Sequence, residues 1–159
     1  MSARQDMPRG GAPVGVLSEL PTVEACSVLY LRLWCEGPDQ QAAVWNDLAT
    51  TLPPHRARKA LRAFETLCDL CLRNARRPMM RHSSKCSCVG GDEACFANFV
   101  AAACTCERED AMLFISNIVH PGVAPILVQF AQDFALALHE MSATSHLTAQ
   151  TRSPAHMLH

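Results

Sequence analysis

Hydrophobic residues recur at helical spacing through most of the chain between residues 19 and 141. In the stretch LPTVEACSVLYLRLWCEG, Val23, Cys26, Tyr30 and Leu33 fall on one stripe together with Leu29. A proline near the start, an early glutamate and a closing glycine bound this stretch as they bound many helices. We therefore predict a first helix that ends at the glycine.

The next two apolar patterns are also helical. PDQQAAVWNDLATTL predicts a shorter helix that ends before Pro53. PPHRARKALRAFETLCDLCLRNARR predicts a longer one, with Leu61, Phe64, Cys68 and Cys71 on one face and a proline after its end. We expect this third helix to bury that face.

The second half of the chain continues the same pattern. Asp92 is a candidate N-cap for a helix over EACFANFVAAACTC, which is followed by EREDAMLFISNIV. Pro121 begins a turn into APILVQFAQDFALALHEM. No run of alternating β-branched residues lies between turn signals, so we expect no sheet.

Taken together, these elements predict an all-α protein, a single compact bundle of five to six helices with disordered N- and C-terminal tails. The tails are residues 1–18 and 142–159, both polar and rich in turn-forming residues, and we expect the core to tolerate their removal. The bundle spans residues 19–141 and contains a Cys/His loop at residues 77–91.

Charge and length narrow the function only a little. The chain has 159 residues, with 14 Lys and Arg against 15 Asp and Glu, so its net charge of −1 gives no overall attraction to nucleic acid or to an anionic membrane. No uncharged apolar run reaches the length of a membrane span, and the first residues lack the apolar core of a signal peptide. We expect a cytoplasmic protein with reduced thiols.

The nine cysteines make one stretch of the loop stand out. In RHSSKCSCVGGDEACF, His82, Cys86 and Cys88 lie close together among serines and glycines. Soft donors in a short flexible connector are typical of a zinc site, which usually takes four ligands. Outside this loop, Cys68 and Cys71 fit equally well as small hydrophobic core residues.

We predict the fourth metal ligand from helix geometry. If the third and fourth helices are antiparallel neighbours, Cys71 lies about one and a half turns from the loop, and Cys68 and Cys95 are substitutes. Cys104 and Cys106 are too far along the fourth helix, roughly 18 Å from its start. The predicted zinc ligands are therefore His82, Cys86, Cys88 and Cys71.

The stretch HSSKCSC resembles the His-x3-Cys-x2-Cys signature of the zinc-binding anti-sigma factors. These are small helical cytosolic proteins whose site can respond to thiol oxidation. In this chain Cys88 comes one residue earlier than in the signature. The resemblance implies a mechanism in which a metal or a thiol regulates a contact with another protein. We do not assign the chain to that family.

Two other chemistries are weaker hypotheses. An iron–sulfur cluster could use four of the same cysteines, but their spacing matches none of the usual ferredoxin runs. For an enzyme, the one arrangement that we can assemble is Glu93 acting as a base beside a zinc-bound water. We therefore expect no enzymatic activity.

Five basic residues lie at the end of the third helix and in the loop: Arg73, Arg76, Arg77, Arg81 and Lys85. They are candidates for contact with an anion or a partner, although cations also gather at a helix C-terminus because the helix dipole favours them there. No aromatic residues are interleaved to stack on bases, so a protein partner is favoured over nucleic acid.

The sequence thus predicts a small cytosolic metal-binding or thiol-redox-responsive regulatory protein. The alternatives are a metal-free protein-interaction domain whose cysteines lie in the core, and a metalloenzyme.

Overall fold

The structure is a computed structural model that describes residues 9–151, with side chains described up to residue 145. Within that range the chain forms six α-helices: α1 (Thr22–Cys35), α2 (Pro38–Thr51), α3 (Pro54–Arg73), α4 (Gly91–Cys104), α5 (Arg108–Ile115) and α6 (Ala124–Thr151). It also forms two short strands, β1 (Pro13–Val16) and β2 (Cys88–Gly90), and single 3₁₀ turns at Arg9–Gly11, Leu17–Glu19 and Pro121–Val123. The prediction of an all-α bundle is confirmed.

The helix boundaries follow from local chemistry at glycines and prolines. α2 begins at Pro38 directly after Gly37, whose φ of 116° lies in the left-handed region that favours glycine. α3 begins at Pro54, where the missing N–H of proline costs no helical hydrogen bond. These prolines make α1, α2 and α3 separate helices with short connections.

The helices pack around α6 in an order that the sequence did not indicate. α3 packs against α2 and α6, whereas α4 packs against α1, α5 and α6. The placement of Cys71 near the loop assumed that α3 and α4 are antiparallel neighbours, but the main packing partners of both are other helices. The loop between α3 and α4 therefore does not connect two helices that pack mainly against each other.

An aromatic cluster fills the centre between α1, α3 and α6. Phe64 stacks on Phe134 with ring centroids 4.6 Å apart, and Tyr30 and Trp34 approach Phe64 edge-on at 6.2 and 5.4 Å. Offset and edge-on arrangements of this kind add to the stability that burial of the rings provides. The cluster fixes how α1 sits against α3.

The N-terminal segment is folded onto the bundle. β1 pairs antiparallel with β2, which directly precedes α4, and Gly10 and Gly11 are buried. The prediction of a tail up to residue 18 is therefore wrong for residues 9–18, and so is the expectation of no sheet. Residues 1–8 of the predicted tail lie outside the described residues.

At the other end, α6 continues past the predicted boundary at residue 141 and ends at Thr151. Residues 152–159 of the predicted C-terminal tail lie outside the described residues. The region Pro121–Ser145 is long and apolar enough to span a membrane by length and composition, with a mean hydropathy of 1.3 in its most apolar window. The buried face of the same helix forms the centre of the bundle, as expected for a core helix.

Candidate functional site

A buried arginine organises the loop between α3 and α4. Arg32 lies in the last turns of α1, surrounded by apolar residues, and its side chain is fully buried. Its Nε donates to Glu93 Oε2 at 2.6 Å, and its two terminal nitrogens donate to the carbonyl oxygens of Cys86 at 2.7 Å, Cys88 at 2.5 Å and Ser83 at 3.2 Å. One guanidinium therefore binds three loop carbonyls and a carboxylate from α4.

The two acidic residues at the start of α4 hold the other side of the loop. The second oxygen of Glu93 accepts the backbone N–H of His82 at 2.8 Å. Asp92 accepts two hydrogen bonds from Arg77, at 2.7 and 2.8 Å, and the backbone N–H of Met80 at 2.8 Å. Asp92 is therefore not the predicted N-cap, because its carboxylate binds the loop rather than the first turn of its own helix.

The same contacts remove Glu93 as a catalytic base. Its side chain is fully buried, and both of its oxygens accept hydrogen bonds within the protein. A general base needs an oxygen within reach of the substrate or of an activated water.

His82 and Cys86 form a hydrogen-bonded pair at the surface of the loop. His82 Nδ1 lies 3.8 Å from Cys86 Sγ, and His82 Nε2 lies 2.9 Å from the carbonyl oxygen of Gly11. A carbonyl oxygen only accepts, so Nε2 carries the proton and donates it. In the neutral ring Nδ1 then has a free lone pair that faces the Cys86 thiol. Both side chains are partly exposed.

The remaining predicted donors do not join this pair. Cys71 and Cys68 lie in the hydrophobic core on α3. Burial raises the pKa of the Cys71 thiol to about 12 and raises that of Cys68 well above its usual value, which opposes the thiolate form that a metal needs. In Cys95, burial and then the nearby Asp92 raise the thiol pKa. Cys88 is half-buried at the start of β2.

The predicted four-ligand zinc set is therefore not assembled. Among residues 9–145, whose side chains are described, no three or more His, Cys, Asp or Glu side chains are placed to hold one metal ion. Cys71 lies in the hydrophobic core rather than beside His82 and Cys86 as a third metal donor. Of the four predicted ligands, His82 and Cys86 are in contact with each other, and a structural zinc site usually needs four ligands.

Three of the five residues in the predicted basic patch have partners within the protein, although all three are exposed. Arg73 pairs with Asp69 one turn earlier on α3, Arg76 donates to the carbonyl oxygen of Val119, and Arg77 binds Asp92. Of the five predicted basic residues, Arg81 and Lys85 stay exposed at the loop without a side-chain hydrogen bond or an ion pair. Contact of the five residues with a partner stays a prediction.

Sequence reasoning missed Arg32 and Gly11, which hold the loop from outside it. The signal for Arg32 was present, because a single arginine within VLYLRLW is surrounded by core residues and needs a buried partner. Gly11 acts through its backbone carbonyl, which no side-chain pattern reveals.

Comparison of the chain with protein-family models, with curated proteins and with solved structures gives no significant match. Function must therefore be argued from the loop itself.

Proposed function

We propose that this protein is a small cytosolic regulator that responds to thiol oxidation through Cys86 and acts by contacting a protein partner. The observation that carries the proposal is the pairing of Cys86 Sγ with His82 Nδ1, at 3.8 Å, on a ring that the Gly11 carbonyl orients. A nucleophile, a base and a group that orients the base are the three parts of an activated thiol.

The chemistry needs a peroxide as oxidant. His82 Nδ1 takes the thiol proton, and the Cys86 sulfur attacks one peroxide oxygen. The O–O bond breaks, the sulfur becomes a sulfenic acid, and the departing hydroxide takes the proton from His82 to form water. The sulfur is thereby oxidised, the peroxide is reduced, and His82 returns to its neutral form.

The position of Cys86 links this step to a change at the surface. Its carbonyl is bound by Arg32, its N–H donates to the Ser83 carbonyl at 2.9 Å, and the exposed Arg81 and Lys85 lie on the same loop. A sulfenic acid is larger and more polar than a thiol, and its added oxygen changes the 3.8 Å contact of Cys86 Sγ with His82 Nδ1. The loop then presents its two cations differently to an acidic partner surface.

The test compares Cys86 with Cys106, which is a more exposed cysteine. Reduced full-length protein is treated briefly with limiting iodoacetamide, and the labelled sites are mapped by mass spectrometry. If exposure alone controlled reactivity, Cys106 would react first. We expect Cys86 to react faster, and we expect His82→Gln to slow Cys86 by at least about tenfold while leaving Cys106 unchanged.

The oxidation step is tested with hydrogen peroxide and a dione probe that traps sulfenic acid. Trapping at Cys86 in wild type and its loss in His82→Gln support the proposal. Faster labelling of Cys106 in wild type, or a Cys86 rate that does not depend on His82, would contradict it.

Elemental analysis tests zinc binding as an alternative to the thiol function. Two ligands of one tetrahedral zinc lie about 3.6 Å apart, close to the observed separation of Cys86 Sγ and His82 Nδ1, but further ligands are missing among the described residues. One zinc per chain by elemental analysis, lost in Cys86→Ser and kept in Cys106→Ser, would replace the thiol assignment by a metal site.

A further inference from the structure

A second site lies between α3 and α6 and uses none of the cysteines. A cavity of about 400 Å³ opens there, which is within the range of small-ligand pockets. One wall carries His55, Arg58, Lys59 and Arg62 from α3. The opposite wall carries Phe130 and Asp133 from α6. The cavity therefore combines several cations, an aromatic ring and a single carboxylate.

The charge on the α3 wall is only partly compensated. Lys59 Nζ lies 3.9 Å from Asp133 Oδ1, whereas Arg58 and Arg62 are exposed and make no hydrogen bond or ion pair within the described residues. Their spacing of four residues puts two like charges on neighbouring turns, and this disfavours the helix. Arg56, just outside the cavity, differs because it pairs with Glu140.

Because Arg58 and Arg62 repel each other along α3, helix stability does not account for this pair. An anion bound between the two guanidinium groups would remove that unfavourable term.

The geometry selects a ligand with phosphate groups and a planar ring. Arg58 and Arg62 present two planar guanidinium groups about one turn apart, which suits the paired oxygens of phosphates. The half-buried ring of Phe130 lines the same cavity, and aromatic rings stack on bases. Asp133 repels an anion at its end of the cavity but accepts hydrogen bonds from hydroxyl groups, so it orients the ligand.

We infer that this cavity binds a nucleoside diphosphate, with the phosphates on Arg58 and Arg62, the base on Phe130 and a sugar hydroxyl on Asp133. The cations from Arg58 to Arg62 cover about 6 Å of helix, which is too short to follow a nucleic-acid strand. The site is separate from the loop of Cys86 and does not depend on the proposed thiol function.

The experiment uses full-length protein at low salt, with ADP, pyrophosphate, adenosine and a hexaglutamate peptide as probes. Binding is measured by isothermal titration calorimetry and by amide chemical-shift changes in NMR spectra. We expect saturable ADP binding that weakens with added salt, with shifts at residues 55–66 and 130–133. Pyrophosphate should bind more weakly and adenosine weakest.

Three variants separate the contributions. Arg58→Gln and Arg62→Gln should each weaken ADP binding by about tenfold, because each loses a charge-assisted contact. Phe130→Leu should reduce the difference between ADP and pyrophosphate. Arg73→Gln, at the other end of the same helix, is the matched control and should bind as wild type. Thermal melting verifies that the variants fold.

The inference is overturned if ADP shows no saturable binding up to millimolar concentration, or if Arg58→Gln and Arg62→Gln bind it as wild type does. Equal affinity for ADP and pyrophosphate, unchanged in Phe130→Leu, would overturn the nucleotide assignment in favour of a simple anion. Binding of hexaglutamate but not of ADP would overturn it in favour of an acidic protein segment.

Discussion

At the scale of single residues, Arg32 is the side chain on which the loop depends most. Its charge is balanced by Glu93, and both side chains are fully buried. Removal of one partner from such a pair leaves an uncompensated charge in a low-dielectric interior, which costs far more than loss of a surface pair. The loop carbonyls that Arg32 binds would also lose their donors.

We predict that Arg32→Met lowers the free energy of unfolding by about 3–5 kcal/mol, measured by urea denaturation. Arg32→Met combined with Glu93→Gln should cost less than the sum of the two single changes, because no buried charge then remains. Arg56→Met is the matched control, since the Arg56–Glu140 pair is exposed, and it should cost about 0.2–1 kcal/mol. Equal losses for Arg32→Met and Arg56→Met would contradict this account.

At the scale of elements, the N-terminal segment and the loop stabilise each other. β1 pairs with β2, the Gly11 carbonyl accepts from His82, and the N–H of Leu17 donates to the Ser87 carbonyl at 2.7 Å. Gly10 packs so closely against Asp92 and Arg77 that a β-carbon there would overlap both side chains. Asp92 is held in place by its bonds to Arg77 and to the backbone N–H of Met80.

We predict that Gly10→Ala lowers the free energy of unfolding by about 1–3 kcal/mol, as overpacking of a filled site does. It should also increase amide hydrogen exchange over residues 86–91, because the loop loses support. Gly15→Ala is the control in the adjoining strand: a β-carbon at Gly15 meets nothing within 4 Å, so its cost should stay within about 0.5 kcal/mol. If Gly10→Ala behaves like Gly15→Ala, the segment is not packed as described.

These contacts show how far the sequence predicts the site. The stretch around His82 and Cys86 was identified from donor type and spacing alone, and the pair does lie together because it is local. The rest of the site was not predictable in this way. The partners of the loop come from α1 and from the N-terminal segment, and Arg32 and Glu93 are separated by 61 positions in the chain.

At the scale of the whole molecule, burial of two cysteine thiols and a tyrosine hydroxyl makes the free energy of unfolding depend on pH. Burial raises the pKa of Cys71 to about 12 from an ordinary value of 9.0, and that of Cys68 well above it. Burial, together with a hydrogen bond to Asp47, also raises the pKa of Tyr30. In each case the folded state keeps the proton at a pH where the unfolded chain releases it.

We predict that the protein is stable up to about pH 9 and that its free energy of unfolding falls as the pH rises further, towards pH 12. The unfolded state binds fewer protons in that window, so each buried thiol contributes a slope of at most about 1.4 kcal/mol per pH unit. Urea denaturation of reduced protein between pH 8 and pH 11 measures the slope. Cys71→Ala should make it shallower, whereas Cys106→Ala, at an exposed position, should leave it unchanged.

The sequence by itself determined the helices and much of their buried faces, because helical periodicity and the prolines that bound the helices act over a few residues. On α3, for example, Phe64, Cys68 and Cys71 all lie in the core as their spacing predicted. The tertiary structure decided which helices are neighbours, and it did not bring Cys71 together with His82 and Cys86 around one metal position. It also brought Arg32 to the Cys86 carbonyl and the Gly11 carbonyl to His82. A buried charge and a backbone carbonyl find their partners across the fold rather than along the chain.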